Sequence, residues 1–398
     1  MHKLCALLGM PQHRFASIHV VGTNGKSSVT RMSAALLEAH GLAAGACLSP
    51  HTSRWSERIL IRGAEIGERD FAAAVERAAE AAEAVNRTLE EGEAVTQFEV
   101  ATAAAFLALA TARVEVAAIE AGLGGRLDAT NTIPSRITVL TSIGLDHTEW
   151  LGETEAEIAA EKLAVLRDLS TLVVGRVGPE VLSLAERTAE ERGATLIRAP
   201  EDPGPDVRLS APGGFQRRNF ALAVAATGAF LGGLDPDRVG EVAAGLTVPG
   251  RLERLAGEPP IYIDAAHNPD GARALAEAIS EGLAGGLPVI ACLAILRDKD
   301  AAATVAALAP AIERAVCTEI PADGPRGQGG PGLSAVRSST PAAELLQACE
   351  AAGLPAEADP DFATALRRAR SLAAGPPPAA LLVTGSHYVL GPARAALS

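Results

Sequence analysis

Positive charge is in short supply in this chain. Lys and Arg number 35 against 48 Asp and Glu, a formal net charge of −13. Binding along a nucleic-acid backbone needs a basic face, so nucleic acid is excluded as the main partner. Small anionic ligands are not excluded, because they respond to local charge. The five cysteines (Cys5, Cys47, Cys292, Cys317, Cys349) are odd in number and dispersed, with no C-x-x-C spacing. That pattern excludes a disulfide framework or a cysteine zinc site and fits reduced thiols. Aromatics make up only 3% of the chain while apolar residues reach 48%, so the core must be built mostly of Ala, Leu and Val. The longest apolar segments, 100–112 and 221–234, fall short of the ~20 residues of a membrane span. Residues 1–15 carry no apolar stretch ahead of a cleavage site. A cytoplasmic protein without membrane contact is expected.

What is present is alternation. At 398 residues two domains are expected. Short apolar runs alternate with longer helical patterns almost throughout, which is the signature of an α/β fold with mostly parallel sheets. Strands are predicted at 17–21, 43–47, 115–120, 137–142, 171–174 and 194–197, and helices at 28–40, 70–90, 98–112, 154–167 and 179–192. Residues 199–214, rich in Pro, Gly and Asp, read as a loop or reduced hairpin before a helix at 216–231. After a linker at 246–251 the alternation restarts, with strands at 260–264, 288–293, 315–318 and 380–384 and helices at 270–282, 300–309, 341–352, 361–373 and 388–396. Residues 321–333, rich in Gly and Pro, read as a mobile surface loop. The expected architecture is a phosphate-loop-type, mostly parallel sheet domain over 1–246, followed by a smaller Rossmann-like α/β domain over 247–398.

The strongest local signal is Ile18-His19-Val20-Val21-Gly22-Thr23-Asn24-Gly25-Lys26-Ser27. An apolar run enters a glycine turn and then a helical segment, the order that holds a nucleotide phosphate. Glycines let backbone N–H groups approach the phosphate oxygens, the helix N-terminus adds partial positive charge, and Lys26 adds a full one. Ser27 is suited to a phosphate-bound magnesium ion. The usual pattern has a glycine where Val20 stands, so this loop is a short form. An ordinary strand-to-helix turn would need the glycines but not the lysine.

Other candidates stand at the carboxyl ends of strands, where open α/β sheets keep their functional groups. Glu120 ends an apolar strand before the glycine-rich run Ala121 to Asn131, within reach of a metal held by the phosphate loop. Asp146 and His147 end the next strand, and His147 is a candidate metal ligand, although magnesium prefers oxygen. Ser49, in Leu48-Ser49-Pro50-His51, offers a hydroxyl at another strand end. Arg54, Arg58 and Arg62 follow it as a local basic patch, which reads equally well as a solvated surface run. Glu161-Lys162 alone is unremarkable, but a lysine beside two magnesium ions can take up CO₂ as a carbamate and become an oxygen ligand. In the second half, Asp264 is suited to ribose hydroxyls and His267 to a phosphate, ahead of a helix opened by Pro269.

Together these motifs resemble the Mur ligase superfamily and, within it, the folylpolyglutamate synthase/dihydrofolate synthase family. The resemblance rests on Gly22 to Ser27, Ser49-Pro50-His51 with Arg58-Ile59, Thr96-Gln97-Phe98-Glu99, Glu120 to Asn131, Leu145-Asp146-His147, Glu161-Lys162, Asn219, Pro249 to Glu253, Asp264 to Pro269 and Asp298-Lys299-Asp300, in the family's order. It implies that Gly22, Thr23, Asn24, Gly25, Lys26 and Ser27 hold ATP phosphates, that Asn219 faces adenine, that Arg251 and His267 reach phosphates, and that Asp264 reaches the ribose. It implies one Mg²⁺ on Ser49 and Glu120 and a second on His147 and a carbamate of Lys162. Arg58, Thr96, Phe98 and Asp128 would serve the pterin-bearing substrate, with Lys26, Lys162 and His267 acting in catalysis.

The implied reaction is ATP-dependent addition of L-glutamate to dihydropteroate or a reduced folate through an acyl phosphate, by a monomer. The alternative is another amino-acid ligase of the superfamily acting on a different carboxylate. A peptidoglycan-type Mur ligase would need an additional N-terminal domain, for which there is no room before residue 18. A simple NTPase would not need the Lys162 motif. Two departures stand out. The segment before the first strand is short, so either the start is trimmed or the helix that normally packs there is missing, and the 199–214 region is shorter than the family's insertion.

Overall fold

The computed structural model describes residues 1–321 and 338–397. The first sheet holds eight strands: Ala16–Val21 (β1), Ala44–Cys47 (β2), Ile59–Ile61 (β3), Ala64–Glu65 (β4), Val116–Glu120 (β5), Ile137–Leu140 (β6), Thr171–Val174 (β7) and Thr195–Arg198 (β8). Their order is β4-β3-β2-β5-β1-β6-β7-β8. The six strands from β2 to β8 in this order pair in parallel, while the β3–β4 hairpin is antiparallel and joins β2 antiparallel. Every residue of β2, β5 and β6 is buried. That is why these strands read as unbroken apolar runs, since a parallel sheet is covered on both faces.

The Lys26–Ala39 helix covers one face with Val29, Met32, Leu36 and Leu37, all 0% exposed and spaced to share one stripe. It lies against the Gly214–Leu231 helix. On the other face the Glu68–Asn86 and Gln97–Thr111 helices enclose a core containing Phe106 and Leu109.

A turn from Leu246 to Leu252 leads to the second sheet, formed by Glu253–Leu255 (β9), Ile261–Ile263 (β10), Val289–Leu293 (β11), Arg314–Cys317 (β12), Ala356–Ala358 (β13) and Ala380–Thr384 (β14). The order is β13-β12-β11-β14-β10-β9, parallel except for β9. The α/β expectation with two mostly parallel sheets holds.

Several local expectations do not hold. Residues 199–213 are turn and bend, the loop alternative of that expectation and not the hairpin. The predicted 154–167 helix stops at Leu163. The short strands β3, β4, β9 and β13 and the Pro236–Gly245 helix were not expected. A helix does pack ahead of β1: His2–Leu7 places Leu4 and Cys5 at 0% exposure in the core under the Glu68–Asn86 helix. The predicted 321–333 loop lies, from residue 322 on, outside the described residues. All five cysteines are free and buried. Among the described residues no helix is long and apolar enough to cross a membrane.

Candidate active site

The carboxyl ends of the two sheets face each other, and the chemistry-bearing side chains converge between them. The phosphate loop leaves β1 at Gly22, whose φ is 147°, and enters the helix through Gly25 with φ 84°. Both values favour glycine. A Cβ on Gly25 would also come within 2.6 Å of the Asn219 amide oxygen. Asn219 therefore rests on the loop itself, with its amide nitrogen donating to Gln216 Oε1 at 3.0 Å. The loop is braced from β6: Thr23 N–H donates to Ser142 O at 2.7 Å, and Thr141 Oγ1 donates to Asn24 O at 2.6 Å. The Lys26 ammonium folds back onto the carbonyls of Gly22 (3.0 Å) and Thr23 (3.1 Å). Burial pushes its pKa down, opposed by the charges of Glu120 and Asp146.

Glu120, at the end of β5, is 2% exposed. It accepts from Ser27 Oγ at 2.9 Å and from Ser49 N–H at 2.9 Å. Ser49 thus meets Glu120 through its backbone N–H. Burial pushes this carboxyl up, against the pull of Lys26 and these hydrogen bonds. Lys162 stands on the Glu155–Leu163 helix at 4% exposure. Burial, reinforced by the Lys26 charge, brings its amine down to about 7.

The centre of the crevice is a residue to which the sequence alone gave no role. The Asp146 carboxylate accepts from Lys299 Nζ at 2.5 Å and Asn268 Nδ2 at 3.0 Å, and His267 Nε2 lies 3.6 Å away. Burial would raise its pKa, but the His267 contact and the Lys299 charge hold it well below the usual carboxylate range. Lys299 also donates to His147 Nε2 at 3.1 Å. Asn268 caps the Pro269–Ala278 helix by accepting from Gly271 N–H, and exchanges two amide hydrogen bonds with Asn24 at 3.1 and 3.2 Å. One small cluster therefore joins the phosphate loop, the end of β6 and the ends of β10 and β11.

Arg251 donates to His387 Nε2 at 3.4 Å, and the His267 and His387 rings lie 5.3 Å apart. Burial and the Arg251 charge hold His387 well below the usual histidine value. Lys299 and His387 stand after β11 and β14, the same strand-end signal that pointed to Glu120. The convergence of Asp146, Asn268, Lys299 and His387 comes from different strands, so linear spacing did not show it.

Beside Glu120 lies an apolar cavity of about 270 Å³, lined among others by Trp55, Arg58, Phe98 and Val100. The Arg58 guanidinium sits 4.3 Å over the Trp55 ring, and its Nε donates to His51 Nδ1 at 3.0 Å. The three arginines do not form one patch. Only Arg58 faces the cavity, exposed Arg54 pairs with Glu65 at 3.0 Å, and Arg62 sits in the β3–β4 turn at φ 51°. The chain here runs through a 3₁₀ turn into a hairpin, which sends the three side chains to different places.

Three further candidates are engaged within the protein itself. Thr96 is absent from the cavity wall and caps the Gln97–Thr111 helix, reciprocally with Glu99. Asp128 is 9% exposed and accepts from the N–H groups of Gly122, Leu123 and Thr130 and from the Thr130 hydroxyl. It shapes the glycine loop and offers no free carboxylate to a substrate. Asp264, 4% exposed, accepts from Leu252 N–H at 2.8 Å and Ala266 N–H at 2.7 Å. It clasps the inter-sheet turn to β10, which its place at a strand end did not reveal.

Among the described residues, no three His, Cys, Asp or Glu side chains converge as a metal cage. The donors near the phosphate loop are carboxylate and hydroxyl oxygens, the kind Mg²⁺ takes when substrate phosphates and water complete its shell.

Residues 20–197 match the Mur ligase middle domain and residues 250–387 the Mur ligase glutamate ligase domain, which gives the class. A dihydrofolate synthase/folylpolyglutamate synthase of Mycobacterium tuberculosis is 35% identical over 353 residues, covering 79% of this chain and 72% of that protein. The M. tuberculosis folylpolyglutamate synthase complexed with ADP superposes with a TM-score of 0.88 at 32% identity, covering 100% of this chain and 93% of that one. The bifunctional Yersinia pestis enzyme complexed with AMPPNP and a Mn ion gives 0.83 at 27%, covering 99% and 92%. The chain belongs to the dihydrofolate synthase/folylpolyglutamate synthase family of Mur ligases.

Proposed function

We propose that this protein is an ATP-dependent ligase that joins L-glutamate to the carboxylate of dihydropteroate, to the γ-carboxylate of a reduced folate, or to both. The observation that carries the reading is the meeting of phosphate loop, Glu120 and Lys162 at one crevice between two sheets, with an apolar cavity beside Glu120. A carboxylate is a poor acylating agent. Transfer of the ATP γ-phosphoryl group makes it an acyl phosphate, which the glutamate amine attacks with release of phosphate.

Lys26 would leave the Gly22 and Thr23 carbonyls for the phosphate oxygens, helped by the Lys26–Ala39 helix N-terminus. Gly22 to Ser27 would cradle the phosphates, Asn219 would meet the adenine, and Arg251 and His267 would approach the phosphates from the second unit. Asp146, through Lys299 and Asn268, would hold the two sheets together and keep water from the acyl phosphate. Arg58 and Phe98 would line the pterin site.

Magnesium would neutralise charge on the transferring phosphoryl group. Two ions would be held, one by Glu120, Ser27 and Ser49 and one by His147 and a carbamate of Lys162. The carbamate needs a neutral amine, which Lys162 supplies at neutral pH. We also read the chain as a cytoplasmic monomer divided at 246/247. The test is ADP release with glutamate and either dihydropteroate or tetrahydrofolate; release with neither sinks the folate reading.

A further inference from the structure

We infer that His19 is a positioning residue for the pterin-bearing substrate, acting through Thr130 and Asp128 on the loop beside the apolar cavity. His19 lies on β1, three residues before Gly22, and is 0% exposed. An apolar side chain would fit the middle of a buried strand at less cost, since an imidazole there must be desolvated. Its Nδ1 has no hydrogen-bond partner, so the ring serves only one contact.

That contact is Nε2 to Thr130 Oγ1 at 2.8 Å. The single hydroxyl proton of Thr130 goes to Asp128 Oδ1 at 2.5 Å, because a carboxylate already taking three backbone N–H bonds only accepts. The hydroxyl must therefore accept from His19, which fixes the neutral Nε2–H tautomer. Burial, and the Arg167 charge, push the imidazole down to about 3, in keeping with that form.

Asp128 passes the constraint on through Gly122 and Leu123 N–H, both at 2.9 Å. Gly122 lies directly under the Phe98 ring, so closely that a Cβ there would overlap it. Glu120 is two residues upstream. One strand thus carries the phosphate loop on its end and, by a side chain, the seat of the pterin wall. The inference rests on reading the cavity as the pterin site.

The test is steady-state ADP release at saturating ATP and glutamate with varied dihydropteroate, for wild type, His19→Leu, His19→Gln, Thr130→Val and the His19→Leu/Thr130→Val double variant. Calorimetry with an ATP analogue gives nucleotide affinity alongside. His19→Leu is expected to raise KM for dihydropteroate about tenfold, the effect of one buried hydrogen bond, with kcat and nucleotide affinity within about twofold. Glutamine, whose amide N–H can reach Thr130, should restore most of the loss, and the double variant should be no worse than the poorer single one. A fall in kcat at unchanged KM, or glutamine behaving like leucine, overturns the inference. If His19→Leu does not fold, Thr130→Val carries the same expectation, and an unchanged KM there overturns it. A wild type inactive with every pterin substrate instead overturns the functional reading on which this rests.

Discussion

Replacing Lys162 with methionine should have two opposite effects. The amine is 4% exposed and titrates at about 7 against an ordinary 10.5. At pH 7 about half of the folded molecules then carry it neutral, against roughly one in three thousand for an unperturbed lysine. In the unfolded chain it is protonated, so folding at pH 7 gives up about half a proton and otherwise buries the charge. At 1.36 kcal/mol per decade, that costs about 4 kcal/mol. Methionine fills similar volume without charge, so Lys162→Met should gain up to about 4 kcal/mol of stability at pH 7. The folded-state value lies below the unfolded one, so between about 7 and 10.5 the unfolded chain binds more protons. Wild-type stability must rise with pH across that window, and the advantage of methionine must shrink. Activity should move the other way, with glutamate-dependent ADP release falling at least about a hundredfold. Urea unfolding at pH 7 and 9.5, in buffer stripped of CO₂, and ADP release in ambient CO₂ measure the two effects. A variant no more stable than wild type at pH 7, or an advantage that does not shrink at pH 9.5, refutes the buried-amine reasoning. Full activity refutes the carbamate.

Asp146→Ala leaves Lys299 buried without its carboxylate, a loss of about 3–5 kcal/mol. Faster hydrogen exchange at 264–268 and 296–300, together with lost ADP release, is the expected result. Gly122→Ala drives a methyl into the Phe98 ring, so KM for dihydropteroate should rise about tenfold or more while nucleotide affinity, read by calorimetry, stays near wild type. Glu120→Gln should cut ADP release about a hundredfold. Since burial raises the Glu120 pKa, the wild-type rate should fall as the pH is lowered through the acid range, and a rate profile across that range checks this.

The large parallel strands were legible because burial on both faces leaves unbroken apolar runs, as in Val116–Glu120. Edge strands such as Ala64–Glu65 and Ala356–Ala358 were not, because two or three partly exposed residues carry no period. Glu120 was legible as a candidate because a carboxylate at a strand end stands out alone, and Lys162 only because the family's motif gives it context. Asp128 and Asp264 occupy equally suggestive places, yet each is engaged by backbone N–H groups that no linear pattern announces. Asp146 was the reverse case: its importance comes from Asn268, His267 and Lys299, more than a hundred residues away in sequence.

The contact between the two sheets has a thermodynamic consequence. Apart from Phe215, which packs against the second core, the side-chain contacts across it are mainly hydrogen bonds and ion pairs, among Asn24, Asp146, His147, His267, Asn268 and Lys299 and in the pairs Gly214–Glu281, Arg218–Glu277 and Arg394–Thr52. Parting such a contact exposes little apolar surface, and apolar surface is what dominates heat capacity. Opening and closing of the crevice should therefore carry a heat-capacity change near zero, so that the balance between open and closed forms keeps an almost constant enthalpy from cold to warm conditions.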